Sequence, residues 1–280
     1  MRGQQTATIH HASRSVVAEM LASSPVFVLS TGRTGTKLLA RVLGGSSRLI
    51  AHHEPRPALM HLPHWASTHQ HELASLVKVF EAARFEMLLE AHLLGKVYAE
   101  SNHCLTFFTP AIDALLPRSR FVHLVRHPGD FVASAARKGW HSNDSIWEAG
   151  RVRLDDPERW RAMDRVERLA WLWESTNVFA RDFLSRIAPD RSFLLRLEDI
   201  AERPARLVEF ARFVGATDLG PEAVIRLASE RVNEMVVHPG EPTSMRKDPS
   251  FPRYRAWSAT ERARLGALVG RLAADYGYTL

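Results

Sequence analysis

Two short stretches of this sequence gather groups suited to holding phosphate-like anions. The first is Ser30-Thr31-Gly32-Arg33-Thr34-Gly35-Thr36-Lys37. Two closely spaced glycines permit a turn whose backbone N–H groups wrap around an anion. A helix starting directly behind it would add the positive end of its dipole. Thr31 and Gly32 open this turn, Arg33 and Lys37 bring charge to it, and Thr34, Gly35 and Thr36 bring hydroxyls and a close-approaching backbone. The second stretch is His123-Leu124-Val125-Arg126-His127-Pro128-Gly129-Asp130-Phe131-Val132-Ala133-Ser134. If a strand ends at Arg126 and a helix carries Ser134, folding back brings a guanidinium and a hydroxyl onto one phosphate.

The first turn is not a Walker A loop, which requires Gly, four residues, then Gly-Lys-Ser/Thr. Gly32 and Gly35 are too close together, Thr36 precedes Lys37, and Leu38 stands where the Mg²⁺-binding hydroxyl belongs. The apolar run Phe121–Val125 leads into Arg126 rather than an acidic residue. A P-loop small-molecule kinase is therefore the competing enzyme reading and would need Mg²⁺ and ATP.

The surrounding pattern must position these groups. Val26–Leu29 reads as a buried strand, followed by the glycine turn and a helix from Lys37 to Leu43 closed by Gly44-Gly45. Arg48–Ala51 reads as the next strand, then a His- and Pro-rich loop from His52 to Pro63. A helix is expected between His71 and Leu94, strands at Val97–Ala99 and Phe121–Val125, and a helix over Cys104–Leu115. Another helix should follow from Asp130, with Asp130 as its N-cap. Leu169, Trp173, Ala180 and Phe183 mark a long amphipathic helix, Phe193–Leu197 a strand. Helices open at Pro204 and Pro221, and Ser258-Ala259-Thr260-Glu261 is a capping box. Strands alternating with helices predict a three-layer αβα fold with a mainly parallel sheet and ligands at the strands' carboxyl ends.

With both motifs in place, each behind a strand, the chain resembles the family of sulfotransferases that use 3′-phosphoadenosine-5′-phosphosulfate (PAPS). Residues 30–36 look like its 5′-phosphosulfate loop and Arg126 to Ser134 like its 3′-phosphate motif. Phe193–Ile200 with Pro204 and Phe210 resembles a further family segment, and Arg246-Lys247 with Arg253–Trp257 its basic closing segment. The resemblance implies one P-loop-like domain over residues 1–280, with a flexible stretch at 1–22 and an acceptor-side lid at 139–161. It implies PAPS as co-substrate and no metal. Arg33 would touch the 5′-phosphosulfate and the sulfonate in flight, and Gly35 and Thr36 would bind the 5′-phosphate. Arg126 and Ser134 would hold the 3′-phosphate, with Arg246 and Lys247 as a further clamp. Many members have Pro at Gly32 and Lys at Arg33, a departure that bears on subgroup.

An alcohol acceptor needs its proton removed. Glu54 after the second strand is the first candidate base, as the resemblance implies; His53 is the alternative and Glu100 the third. Asn102 and His103 are placed facing the acceptor. The Gly139–Arg161 stretch, with Trp140, Trp147 and Trp160, is long enough to be a binding loop. His61, His64, His69 and His71 lack the cysteine and acidic company of zinc sites. Cys104, the only cysteine, sits in an apolar run and reads as an inert buried thiol.

Composition sets the outer limits. Hydrophobic content of 45%, charged content of 24% and net charge +6 describe a globular chain biased toward anionic partners. No nucleic-acid motif accompanies the charge. No run approaches the ~20 apolar residues of a membrane span, and residues 1–22 lack a signal-peptide core. The expectation is a cytoplasmic enzyme acting on a small-molecule, carbohydrate or lipid acceptor, compatible with a homo-oligomer. A non-catalytic protein binding PAPS or a polyanion is the non-enzymatic alternative.

Overall fold

The computed structural model describes residues 12–142, 146–229 and 248–280. Five parallel strands form one sheet in the order β2-β3-β1-β4-β5: β1 Val26–Leu29, β2 Leu49–His53, β3 Val97–Ser101, β4 Arg120–Val125 and β5 Ser192–Arg196. The helices are α1 Arg14–Leu21, α2 Thr36–Gly44, α3 Pro63–Thr68, α4 Leu73–Leu93, α5 Thr109–Leu115, α6 Pro128–Arg137 and α7 Ile146–Ala149. They continue with α8 Pro157–Ala162, α9 Arg165–Leu184, α10 Asp199–Glu202, α11 Pro204–Phe213, α12 Pro221–Ser229 and α13 Ala259–Asp275.

The central strand β1 is buried on both faces, which is why it reads as an unbroken apolar run. Its alternation divides the core. Phe27 and Leu29 join a cluster beneath α4, α6, α9 and α13, with Phe80, Phe131 and Trp173. Val26 and Val28 join the opposite cluster with Leu39, Val42, Phe210 and Val224 of α2, α11 and α12. Helices thus cover both faces, and the carboxyl ends of β1, β3 and β4 open at one edge, where the motifs lie.

Local chemistry departs from expectation in several places. Residues 14–21, expected to be part of a flexible stretch, form α1, capped by Ser13 and anchored by buried Met20. Asp130 does not cap α6. His127 does, its ring accepting from the Gly129 N–H at 3.2 Å, while Asp130 sits in the first turn. Pro128 at the first position explains the shift, because proline starts a helix readily and leaves the cap to the residue before it. The helix expected over 104–115 begins as a 3₁₀ segment, His103–Phe108, before α5. The Gly139–Arg161 stretch contains α7 and α8 rather than being wholly irregular. The capping box at Ser258 and Glu261 is present, and a second one, Asp164 with Glu167, opens α9. Among the described residues no helix is long and apolar enough to cross a membrane.

Candidate active site

The turn after β1 is held open by left-handed backbone. Gly32, Arg33 and Gly35 have φ of 76°, 56° and 94°. Such values are uncommon for a residue with a side chain, so Arg33 is a strained position held by its surroundings. Ser30 anchors the start: its N–H donates to Thr106 Oγ1 at 3.1 Å, and Thr106 Oγ1 donates back to its carbonyl at 2.9 Å. The glycines are required by space as well as by φ. A Cβ on Gly35 would lie 2.5 Å from Leu197 Cδ1, and one on Gly32 would lie 2.9 Å from Trp140 Cη2. No side chain caps α2 at Gly35; Leu38 N–H donates to the Gly35 carbonyl at 2.9 Å, while the N–H groups of Thr36 and Lys37 have no acceptor among the described residues. The buried Thr34 hydroxyl also has no partner. An anion seated in the turn would satisfy these donors together.

The second motif closes on the first. Arg126, at the end of β4, donates from Nη1 to the Arg33 carbonyl at 2.8 Å, and Arg33 Nε donates to Ser134 Oγ of α6 at 3.2 Å. Arg33 therefore links Arg126 to Ser134. Among the described residues neither guanidinium forms an ion pair. Burial, and then the charge of Arg126, lowers the Arg33 pKa, with Glu54 opposing. Burial lowers that of Arg126, with Asp130 and Glu198 opposing. Two desolvated cations side by side are unfavourable alone and favourable around a polyanion.

Residues not anticipated hold Arg126 in place. Trp173 Nε1 donates to its carbonyl at 2.9 Å. Glu198 accepts from the His127 N–H at 2.9 Å and, through its other oxygen, from the Tyr278 hydroxyl at 2.7 Å. The C-terminal residues thus brace the end of β4. Glu198 lies in a segment the family resemblance marked; Tyr278 and Trp173 carried no local signal, being set by tertiary contact alone.

The acceptor side is built around Glu54, whose φ of 46° is also left-handed. Its N–H donates to the Ser101 carbonyl at 3.2 Å, and its Oε1 lies 3.0 Å from His103 Nδ1. Burial alone would raise the Glu54 pKa. The His103 hydrogen bond and charge, with those of His53 and Lys37, outweigh it and hold the group at about 2. Burial opposes charge on His103, yet the Cys104 sulfur and the Glu54 carboxylate push it up to about 10. The two form an ion pair. His53 lies beside them, its Nε2 3.3 Å from Thr36 Oγ1. Burial first, with Lys37 and His103 against Glu54, lowers its pKa and keeps it neutral. Lys37 itself is exposed at the start of α2.

Two expected acceptor-side residues are structural instead. Glu100 is 1% exposed and makes two bonds to buried Arg84, at 2.6 and 2.8 Å. Tyr98 and Asn102 donate to it as well, so no lone pair is left for a substrate proton. Asn102 turns inward with it and caps the 3₁₀ segment through Oδ1 to the Cys104 N–H. Arg84 also donates to the Pro57 carbonyl, so the pair supports the loop that follows Glu54.

An open cleft of about 390 Å³ lies against the turn. Ser30, Thr31, His103 and Cys104 form one wall, and Met60, Trp147, Arg151 and Val152 others. Trp140 and Trp147 stack near His103, at 6.0 and 6.5 Å between centroids. Trp160 packs instead on His141 and Trp171. Cys104 is buried, as its apolar context implied. His69 stacks with Trp65 and His71, and among the described residues no group of three or more potential ligands is placed to hold a metal. Arg246 and Lys247 lie outside the described residues.

Residues 25–210 match the profile of the sulfotransferase family. The sulfotransferase domain of the olefin synthase of Synechococcus PCC 7002 is similar in fold, with TM-score 0.58 and 19% identity, over 92% of this chain and 96% of that one. The sulfotransferase domain of the curacin biosynthetic pathway aligns with TM-score 0.55 and 18% identity over 92% and 98% of the two chains. A sulfotransferase of Alicyclobacillus acidocaldarius aligns with TM-score 0.50 and 16% identity over 92% and 98%. No curated protein matches in sequence.

Proposed function

Because the chain belongs to the sulfotransferase family, we propose that it moves a sulfonate group from PAPS to a hydroxyl or amine acceptor by in-line displacement, releasing 3′-phosphoadenosine-5′-phosphate. The observation that carries this reading is the meeting of the left-handed glycine turn with two guanidinium groups that form no ion pair among the described residues. The Thr34 hydroxyl, without a partner among the described residues, fits a bound phosphosulfate. Arg126 and Ser134 would take the 3′-phosphate, the group that separates this donor from ATP. Thr31 to Lys37 would take the 5′ end. Arg33, beside Ser134, would face the sulfonate, where charge grows as the bridging S–O bond breaks.

The base in this reading is the Glu54–His103 pair rather than Glu54 alone. Glu54 engages Nδ1 and orients the ring, His103 lines the cleft, and its Nε2 lies 4.0 Å from Cys104 Sγ. The acceptor oxygen forms its bond to sulfur as its proton passes to Nε2, an arrangement in which the carboxylate steadies the imidazolium it helps create. Because His103 is pushed up to about 10, most of it is protonated near neutrality, and turnover should rise with pH toward that value. His53, neutral against Thr36, helps shape the 5′ end.

Calorimetric titration with 3′-phosphoadenosine-5′-phosphate, beside ATP and AMP and without added metal, tests the donor. Preference for the bisphosphate that disappears in Arg126→Ala supports the proposal. Equal binding of all three, or ATP binding only with Mg²⁺, would overturn it in favour of a kinase.

A further inference from the structure

Behind the cleft wall lies a second recess, of about 440 Å³, lined by His141, Glu148, Arg151, Arg153, Trp160 and Arg168. It holds three guanidinium groups and one carboxylate. That carboxylate is already used: Glu148 Oε1 pairs with Arg151 Nη2 at 2.6 Å, and Oε2 accepts the His141 N–H at 2.8 Å. Among the described residues Arg153 and Arg168 form no ion pair. Arg168 donates only to the carbonyls of Trp160 and Arg161, at 3.0 and 3.3 Å, and lies over the Trp160 ring.

The ligand-seeking feature is His141. Its side chain is 7% exposed, yet Nε2 is buried without a hydrogen-bond partner. Burial, followed by the charges of Arg151, Arg168, Arg165 and Arg153, keeps its pKa well below the ordinary value. A buried, unpartnered ring nitrogen among surplus arginines is costly by itself and is rationalised by an anion that hydrogen-bonds it. Nδ1 faces Glu148 at 3.8 Å, which favours the ring proton there and leaves Nε2 to accept from the hydroxyl of a hydrogen-phosphate or carboxyl group.

The recess adjoins the reaction cleft. Arg151 lines both, and its guanidinium lies 3.7 Å from the centre of the Trp140 ring, which packs on Gly32 and His103. One aromatic layer therefore separates it from the glycine turn.

We propose that this recess is an anion-binding site that takes an acidic group, phosphate or carboxylate, of the acceptor, and that the enzyme accordingly sulfonates an acidic molecule. The assignment to the acceptor rests on the sulfotransferase reading given above. The anion site itself does not. Recognition falls to His141, Arg153 and Arg168, while Arg151, held by Glu148 and Trp140, stands between recess and cleft.

The test uses the full chain saturated with 3′-phosphoadenosine-5′-phosphate, so that the donor site is filled, and titrates inorganic phosphate while following the His141 ring resonances. A saturable shift is expected, weakened about tenfold in Arg168→Ala through loss of a charge-assisted contact. Affinity for the bisphosphate should not change. Arg153→Gln, at an exposed position that folding tolerates, should weaken phosphate in the same direction. No saturable shift, or a shift that both variants leave intact, overturns the anion site. A graded series of ω-hydroxyalkyl phosphates then separates a free anion from an acceptor group. Tighter binding than inorganic phosphate at one chain length, with His103 also shifted, supports the acceptor. Equal binding at all lengths overturns that assignment. Failure of the bisphosphate to bind would strike the donor reading instead, and phosphate titration of the nucleotide-free chain would still decide the recess.

Discussion

On the donor side, residues 30–37 form one contiguous turn, joined by Arg126 and Ser134 from the next strand–helix unit. On the acceptor side, Glu54, His103, Trp140, Trp147 and Arg151 come from separate segments. The donor side presents largely backbone N–H groups and left-handed glycines, which depend on local conformation. The acceptor side presents side chains whose states are set by neighbours distant in sequence: Glu54 by His103 and Glu100 by Arg84. Single substitutions on the donor side should therefore cost binding or chemistry and leave folding nearly intact. On the acceptor side they should perturb stability, pH response and specificity together.

The largest effect should come from breaking the buried Arg84–Glu100 pair. Arg84→Met leaves an uncompensated carboxylate and should destabilise the fold by about 3–5 kcal/mol, measured by denaturant unfolding. A loss below about 1 kcal/mol, the range of an exposed pair, would show that the acceptor side is not scaffolded in this way. Arg33→Ala comes next. Removing a charged donor aimed at the transition state should lower turnover about 10²- to 10³-fold while the melting temperature barely moves. Unchanged turnover would remove Arg33 from the chemistry.

Glu54→Gln sharpens the comparison through pH. His103 is raised from its ordinary 6.5 to about 10 in the folded protein, so its pairing stabilises fully below 6.5 and is lost as pH rises toward 10. Glu54 is depressed to about 2, so its contribution persists above its ordinary value of 4.5 and fades only on acidification toward 2. Between pH 6.5 and 10 the wild type should lose melting temperature while turnover rises. Glu54→Gln should flatten both trends. An activity limb below pH 6.5 instead would promote His53, whose pKa is lowered. The smallest effect is expected for Ser134→Ala, which removes one hydroxyl beside Arg33 and should weaken the bisphosphate by roughly five- to tenfold, about 1–1.5 kcal/mol, with ATP affinity unaltered.

The sequence by itself determined the parallel αβα layout and the place of the two motifs behind β1 and β4. The reason is that these depend on short-range rules: an apolar run makes β1, glycines permit left-handed turns, and a helix must follow to cover the sheet. The same rules located the proline-led helices and the capping box at Ser258. They failed where partners are distant. Nothing beside Glu100 announces Arg84, sixteen residues earlier across a helix. Nothing near Arg126 announces Trp173 or Tyr278, and nothing near Glu54 shows that His103 shares its proton. Which glutamate is free, which histidine is charged and which arginines lack a counterion were decided by tertiary structure, because burial and pairing set the cost of each charge and neither is encoded by spacing along the chain.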